Sequence, residues 1–145
     1  MKARPLVMIV EDEPDVLLVL RISLQAAGFD TTLAADGATA LTRLHLERPD
    51  LVLLDLMLPV MDGWSVLAEL STRHDPPPVI VCTAKRGLRD VARAQDLGAA
   101  EYVTKPFDVE HLTALIGEVL ERRPGEVLPE DGLIDALGTQ GAEQA

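Results

Sequence analysis

Five side chains suited to phosphoryl chemistry stand at or just after the ends of short strand-like segments in this sequence. They are Glu11, Asp12, Asp55, Thr83 and Lys105. Three carboxylates brought close together repel one another, and a divalent cation removes that repulsion. Mg²⁺ is held by one or two carboxylates while phosphate oxygens and water complete its coordination. The acidic members of the set therefore predict a Mg²⁺ site.

The other members of the set suit a phosphoryl group beside that cation. The Lys105 ammonium can neutralise anionic oxygens, and the Thr83 hydroxyl can donate a hydrogen bond to them. A carboxylate can itself attack phosphorus and become an aspartyl phosphate. Asp55 is the candidate nucleophile because it ends a central strand of the predicted sheet, between the acid pair and Lys105. The set predicts transfer of a phosphoryl group to Asp55.

These side chains require a scaffold in which strands alternate with amphipathic helices. Continuous apolar segments predict strands buried on both faces, and two mixed segments predict edge strands. The predicted strands are Leu6–Val10, Asp30–Ala34, Leu51–Leu54, Val79–Cys82 and Glu101–Thr104. Apolar spacing and capping residues predict helices over Pro14–Ala27, Gly37–Leu46, Trp64–Ser71 and Leu88–Leu97, and a last helix capped by Asp108.

This alternation predicts an α/β fold, a flavodoxin-like doubly wound (βα)5 domain with a five-stranded parallel sheet. The strand order 2-1-3-4-5 puts both mixed strands at the sheet edges. A sequential order would bury Asp30, Thr31 and Thr32 of the second strand, which counts against that order. Ligands of such sheets bind beyond the carboxyl ends of the strands, where all five candidate side chains fall.

Composition limits the remaining possibilities. The chain has 145 residues, of which 48% are hydrophobic, enough for one domain with a sizeable core. Its formal net charge of −11 argues against a basic nucleic-acid interface or binding to an anionic membrane. The single cysteine and the lack of a long apolar segment favour a cytoplasmic protein. Residues 1–122 are predicted to form the domain, and residues 123–145 an acidic tail that is mobile or forms a short docked helix.

Four stretches of the sequence, in order and in spacing, carry a family resemblance. They are VMIVEDEPDV, LVLLDLMLPVMDG, VIVCTA and GAAEYVTKPF. On these stretches the sequence resembles response-regulator receiver domains of two-component signalling over about residues 5–121. One position departs from the commonest family pattern, because the acid pair is Glu–Asp rather than Asp–Asp. Glutamate is one methylene longer and keeps the charge.

The resemblance implies roles at the acidic end of the site. Asp55 would be the phosphoacceptor and would also contact Mg²⁺. Asp12 would hold the Mg²⁺ more directly than Glu11, which would act through water, and the backbone carbonyl of Met57 would be a further ligand. Met57 also occupies a position that in this family tunes dephosphorylation by influencing how water reaches the phosphoryl group.

The resemblance also implies roles at the other end of the site. Thr83 and Lys105 would contact the phosphoryl group, and the Lys105–Pro106 peptide would be cis, which costs little before proline. Tyr102 would be the aromatic switch residue, moving inward as Thr83 turns toward the phosphoryl oxygens. Lys85 occupies the second position that tunes dephosphorylation.

In this family context the expected function is that of a stand-alone response regulator rather than an enzyme. It would accept a phosphoryl group from a histidine kinase or histidine phosphotransfer protein. Its surface of fourth helix, fifth strand and fifth helix would then change and bind a protein partner, with no direct nucleic-acid or membrane contact. We expect a monomer or a weak, phosphorylation-dependent homodimer. The alternatives are a phosphorelay intermediate and a phosphate-independent interaction module.

Two other protein classes fit the sequence less well. A phosphatase of the haloacid dehalogenase type would need a second aspartate two residues after the nucleophile, and Met57 stands there. A flavin-binding module would need a phosphate-cradling loop after the first strand. This sequence instead places Glu11, Asp12 and Glu13 in that loop, and acids repel a phosphate unless a metal intervenes.

Overall fold

Five strands alternate with five helices in the part of the chain that this computed structural model describes, residues 4–122. The strands are β1 (Leu6–Val10), β2 (Asp30–Ala34), β3 (Leu51–Leu54), β4 (Val79–Thr83) and β5 (Glu101–Thr104). The helices are α1 (Pro14–Ala26), α2 (Gly37–Leu46), α3 (Gly63–Ser71), α4 (Leu88–Asp96) and α5 (Val109–Glu121). The predicted boundaries agree with these to within one residue. The predicted tail, residues 123–145, lies outside the described residues.

Local side chains explain where several helices begin and end. The Asp36 carboxylate accepts a hydrogen bond from the Thr39 N–H at 2.7 Å, and the Asp62 carboxylate accepts one from the Ser65 N–H at 2.9 Å. Each bond satisfies a backbone donor that the first helical turn leaves without a partner. Gly28 follows α1 with a φ of 102°, a conformation in which a larger residue would be strained.

The sheet is parallel throughout, in the predicted order β2-β1-β3-β4-β5. In the central strands Val10 lies opposite Leu54, and Leu54 lies opposite Val81. The Asp55 N–H continues this pairing with a 3.0 Å hydrogen bond to the Val10 carbonyl. The strands therefore end at one level, and the residues that follow them meet at one edge of the sheet.

Helices cover both faces of the sheet, so the core has two halves. One half lies under α2, α3 and α4, and the other under α1 and α5. Successive strand side chains alternate between the halves, as a pleated strand requires. For example, Met8, Val52 and Val81 belong to the first half, and Ile9, Leu53 and Ile80 to the second. None of the helices in the described part of the chain has the length and hydrophobicity needed to cross a bilayer.

The edge strand β5 is more buried than its mixed sequence suggests. Glu101 and Tyr102 are both buried. The Glu101 carboxylate can be buried because Arg122, after α5, donates to it at 2.5 Å and also to the Ala100 carbonyl at 3.2 Å. A buried charge is tolerated when it is paired and hydrogen-bonded. The arginine thus joins the residue after α5 to the start of β5.

Close backbone contacts hold the loop between β3 and α3, which follows Asp55. The Gly63 N–H donates to the Leu56 carbonyl at 3.0 Å, and a Cβ added at Gly63 would lie 2.1 Å from the Asp55 carbonyl oxygen. The Gly37 N–H similarly donates to the Met61 carbonyl at 3.1 Å. Only glycine permits these approaches, so the starts of α2 and α3 both press on the loop that carries the candidate nucleophile.

We predict that Gly63→Ala lowers the free energy of unfolding by about 3 kcal/mol, because the new methyl group collides with backbone that cannot move aside. Gly117→Ala is the matched control, since nothing lies within 4 Å of the Cβ position at this glycine inside α5. That change should raise the free energy of unfolding by about 0.5–1 kcal/mol. Chemical denaturation of the two variants measures both effects. Equal effects of the two changes would contradict the close approach at Gly63.

Candidate functional site

The site is centred on one ammonium group between two buried carboxylates. The Lys105 Nζ donates to Glu11 Oε1 at 2.5 Å and to Asp55 Oδ2 at 2.9 Å. The three residues come from the ends of β5, β1 and β3, so the level ends of the strands bring them together. Glu13 adds a more distant carboxylate, 3.8 Å from the same ammonium.

Backbone donors orient the two buried carboxylates. Asp55 Oδ1 accepts a hydrogen bond from the Met57 N–H at 3.0 Å, and Glu11 Oε2 accepts one from the Glu13 N–H at 3.2 Å. Each acid therefore presents one oxygen to the backbone and the other to Lys105. The Met57 side chain is exposed beside this arrangement.

Burial changes the electrostatics of the site. It raises the pKa of the Glu11 carboxyl, although the hydrogen bond from Lys105 opposes this effect. For the Lys105 ammonium, burial alone would lower the pKa, but its hydrogen bonds to Glu11 and Asp55 outweigh burial and raise it. The lysine therefore stays charged at neutral pH.

The acids form a suitable donor set for a divalent cation. One carboxylate oxygen from each of Glu11, Asp12 and Asp55 lies within 4.8 Å of the others. Glu11 and Asp55 are buried, whereas Asp12 is exposed at the rim. Mg²⁺ prefers oxygen ligands and usually keeps several water molecules, which the open side of this site would admit. These three residues would hold Mg²⁺, and the two negative charges that Lys105 leaves unbalanced give the site its attraction for the ion.

Thr83 and Tyr102 meet at the loop between β4 and α4. Thr83 is fully buried, and its Oγ1 accepts the Lys85 N–H at 3.5 Å. The Tyr102 ring is turned inward with only 4% of its surface exposed, and its hydroxyl donates to the Lys85 carbonyl at 2.8 Å. Burial raises the pKa of the Tyr102 hydroxyl, which keeps it a donor. The Lys105–Pro106 peptide is cis.

Two contacts near the site are not predictable from the sequence. The Arg86 guanidinium donates to the Lys105 carbonyl at 2.9 Å, and the Arg93 guanidinium lies over the Trp64 ring, 4.1 Å from its centre. Both arginines are exposed, and no spacing in the sequence distinguishes them from ordinary charged surface residues. Each contact joins elements that are distant in the chain, so only the folded arrangement reveals it.

The fold and the site define a class of protein, a doubly wound α/β domain with an acidic, lysine-containing pocket at the carboxyl edge of its sheet. The family model for the response regulator receiver domain matches residues 7–117. The chain therefore belongs to the response-regulator receiver family of two-component signalling. Phosphorylation and a Mg²⁺ site are typical of that family.

Curated relatives agree with this assignment. The chain is 42% identical over 116 residues to the transcriptional activator protein IrlR of Burkholderia pseudomallei, covering 80% of this chain and 50% of that protein. It is 41% identical over 123 residues to the DNA-binding response regulator MtrA of Mycolicibacterium smegmatis, covering 85% and 54%. The chain spans about half the length of the curated relatives it matches.

Solved structures share the fold. The receiver domain of Francisella response regulator 1452 matches with a TM-score of 0.78 and 28% identity, covering 82% of this chain and 98% of that one. A CheY-like receiver domain protein from Methanospirillum hungatei matches with a TM-score of 0.78 and 25% identity, covering 81% and 94%.

We predict that Lys105→Met lowers the free energy of unfolding by about 3 kcal/mol in the presence of a chelator, because two buried carboxylates lose their cation. Added Mg²⁺ should reduce this deficit, since the ion replaces the missing positive charge. Lys85→Met is the control, because it removes the same charge from the neighbouring loop. Denaturation of the three proteins with and without Mg²⁺ is the measurement, and a deficit that Mg²⁺ leaves unchanged would contradict the prediction.

Proposed function

We propose that this receiver domain accepts a phosphoryl group on Asp55, in a Mg²⁺-dependent reaction, from a histidine kinase or a histidine phosphotransfer protein. The observation that carries the proposal is the Lys105 ammonium, 2.9 Å from the Asp55 carboxylate, in a pocket that two further acids complete. A charged donor beside the attacking oxygen suits a phosphoryl group, whose negative charge it can neutralise.

In the transfer step a carboxylate oxygen of Asp55 forms a bond to phosphorus. The bond between phosphorus and the donor's imidazole nitrogen breaks, and that nitrogen keeps the electron pair while a proton on the other ring nitrogen of the donor leaves the ring uncharged. The product is an aspartyl phosphate and a neutral imidazole. Little covalent chemistry falls to the protein, so its contribution is the placement of Asp55 and the neutralisation of charge by Lys105.

Glu11, Asp12, Asp55 and the Met57 carbonyl are the proposed Mg²⁺ ligands. Mg²⁺ would neutralise the phosphoryl oxygens and screen the acids from the incoming negative charge. The Met57 N–H donates a hydrogen bond to one Asp55 carboxylate oxygen at 3.0 Å, which fixes the orientation of the carboxylate. This fixed orientation supports Asp55 as the acceptor.

The proposed switch runs from Thr83 and Tyr102 to the surface formed by α4, β5 and α5. The Thr83 hydroxyl would donate a hydrogen bond to one phosphoryl oxygen, and the Lys105 ammonium would contact another. The inward Tyr102 ring and its hydrogen bond to the Lys85 carbonyl support the proposal, because they join β5 to the loop that precedes α4. A two-state shift of about 5 kcal/mol is within reach of a few charge-assisted hydrogen bonds.

The proposed setting is that of a cytoplasmic regulator, monomeric or weakly dimeric when phosphorylated. It would act on a protein partner rather than on nucleic acid directly, and its chemistry would be limited to its own phosphorylation and slow dephosphorylation. The acidic net charge of −11 supports a protein partner over nucleic acid. The alternative is a phosphorelay intermediate that returns the phosphoryl group to another histidine.

Intact mass after incubation with a small acyl phosphate and Mg²⁺ tests the proposal. We expect the wild type to gain one phosphoryl group and Asp55→Asn to gain none, because an amide is a poor nucleophile toward phosphorus. A chelator should abolish the gain. If the wild type binds Mg²⁺ and gains no mass, the domain is a phosphate-independent interaction module.

We also predict a persistent aspartyl phosphate, because neither Met57 nor Lys85 offers a base that would activate water at neutral pH. Met57→Asn should shorten the lifetime, since its amide can hydrogen-bond a water beside the phosphoryl group. Val60→Asn is the matched control in the same exposed loop. Loss of the phosphoryl mass with time is the measurement. A wild-type half-life of seconds in Mg²⁺ at pH 7 would contradict the prediction.

A further inference from the structure

The backbone of Lys105 is held from two sides. Its N–H donates to the Thr83 carbonyl at 2.8 Å, and its own carbonyl accepts the Arg86 guanidinium at 2.9 Å. From this position the side chain places its ammonium between Glu11 and Asp55. The arginine therefore contacts the backbone that supports the ammonium, and not the acids themselves.

The backbone around Lys105 supplies no hydrogen-bond donor to the Lys105 carbonyl among the described contacts. The strand ends at Thr104, and on the neighbouring segment the Lys85 N–H donates to Thr83 Oγ1 rather than to the Lys105 carbonyl. A donor for the Lys105 carbonyl must therefore come from elsewhere or from water. Arg86, nineteen residues earlier in the chain, supplies it with a group that carries several donors and is always charged.

The segment that carries Arg86 is itself anchored. The adjacent Lys85 accepts the Tyr102 hydroxyl at 2.8 Å through its carbonyl and donates to Thr83 Oγ1 through its N–H. Arg86 thus extends from a loop whose backbone is already ordered. The hydrogen bond to Lys105 therefore has to order only the arginine side chain. Because Arg86 is exposed, its contact with Lys105 does not serve core packing.

We propose that Arg86 is a positioning residue for phosphorylation: its hydrogen bond to the Lys105 carbonyl fixes the backbone from which the ammonium reaches Asp55. This inference rests on the proposed phosphoacceptor function and adds a residue to it. Small displacements of a positioned group slow a reaction markedly, so loss of the bond should reduce the rate of transfer and leave donor binding nearly unchanged.

The test compares Arg86→Ala, Arg86→Lys and Arg89→Ala with the wild type. Arg89 is an exposed arginine of α4, so its removal costs the same charge near the same loop. The probe is a small acyl phosphate with Mg²⁺ over a range of donor concentrations, which separates the maximal rate from the half-saturating concentration. Chemical denaturation of each variant monitors global stability.

We expect Arg86→Ala to lower the maximal rate about three- to tenfold with little change in half-saturation, the loss expected for one hydrogen bond. Arg86→Lys should recover most of the rate, because its ammonium can donate the same bond. Arg89→Ala should behave as the wild type. Equal losses in Arg86→Ala and Arg89→Ala would mean that only net charge matters, and would overturn the inference.

The Lys105 ammonium gives a second readout that a merely stabilising role would not change. The chain has three lysines, so ¹⁵N spectra of their ammonium groups are readily assigned. In the wild type the Lys105 signal should exchange slowly with water because Glu11 and Asp55 hold its protons. Arg86→Ala should speed that exchange and Arg89→Ala should not. An unchanged Lys105 signal in Arg86→Ala would overturn the inference.

The two proposals fail in different ways. If the wild type gains no phosphoryl group, the proposed function fails, and the ammonium spectra still decide whether Arg86 positions Lys105. If the wild type is phosphorylated on Asp55 and Arg86→Ala reacts at the same rate, the positioning role fails and the phosphoacceptor function stands.

Discussion

The whole site depends on one electrostatic constraint, which is that two buried carboxylates must share one ammonium. Glu11 and Asp55 sit at the ends of neighbouring strands, and without Lys105 their charges would face each other in a poorly solvated pocket. Lys105 balances only part of the negative charge that these acids and Asp12 bring. The remaining negative charge therefore favours binding of a further cation. A site that holds both Mg²⁺ and an ammonium suits a phosphoryl group, whose anionic oxygens both can neutralise.

The backbone brings the lysine and the two acids together. Parallel strands that end at one level bring distant acids to one edge, and Gly63 lets the start of α3 pack directly against the Asp55 carbonyl. The Met57 N–H then holds the Asp55 carboxylate. Asp55, the proposed nucleophile, is preorganised because the backbone around it has little freedom, which reduces the reorganisation that a transfer step would require.

Two hydrogen bonds connect the same pocket and β5 to the loop before α4. Tyr102 reaches the Lys85 carbonyl, and Arg86 reaches the Lys105 carbonyl. Within α4 itself, Arg93 lies over Trp64, at the start of the helix that follows Asp55. These contacts give the proposed phosphoryl site short physical connections to α4, from the loop before it and from α3.

The sequence by itself determined the elements, the strand order and the identity of the acids, the threonine and the lysine. Apolar periodicity reports which face of each element is buried, and parallel strands necessarily bring their carboxyl ends together. The tertiary structure alone decided which atoms touch: the shared ammonium of Lys105, the Arg86 bond to its carbonyl and the Glu101–Arg122 ion pair at the edge strand. Such contacts join residues far apart in the chain and depend on side-chain direction, which no periodicity encodes.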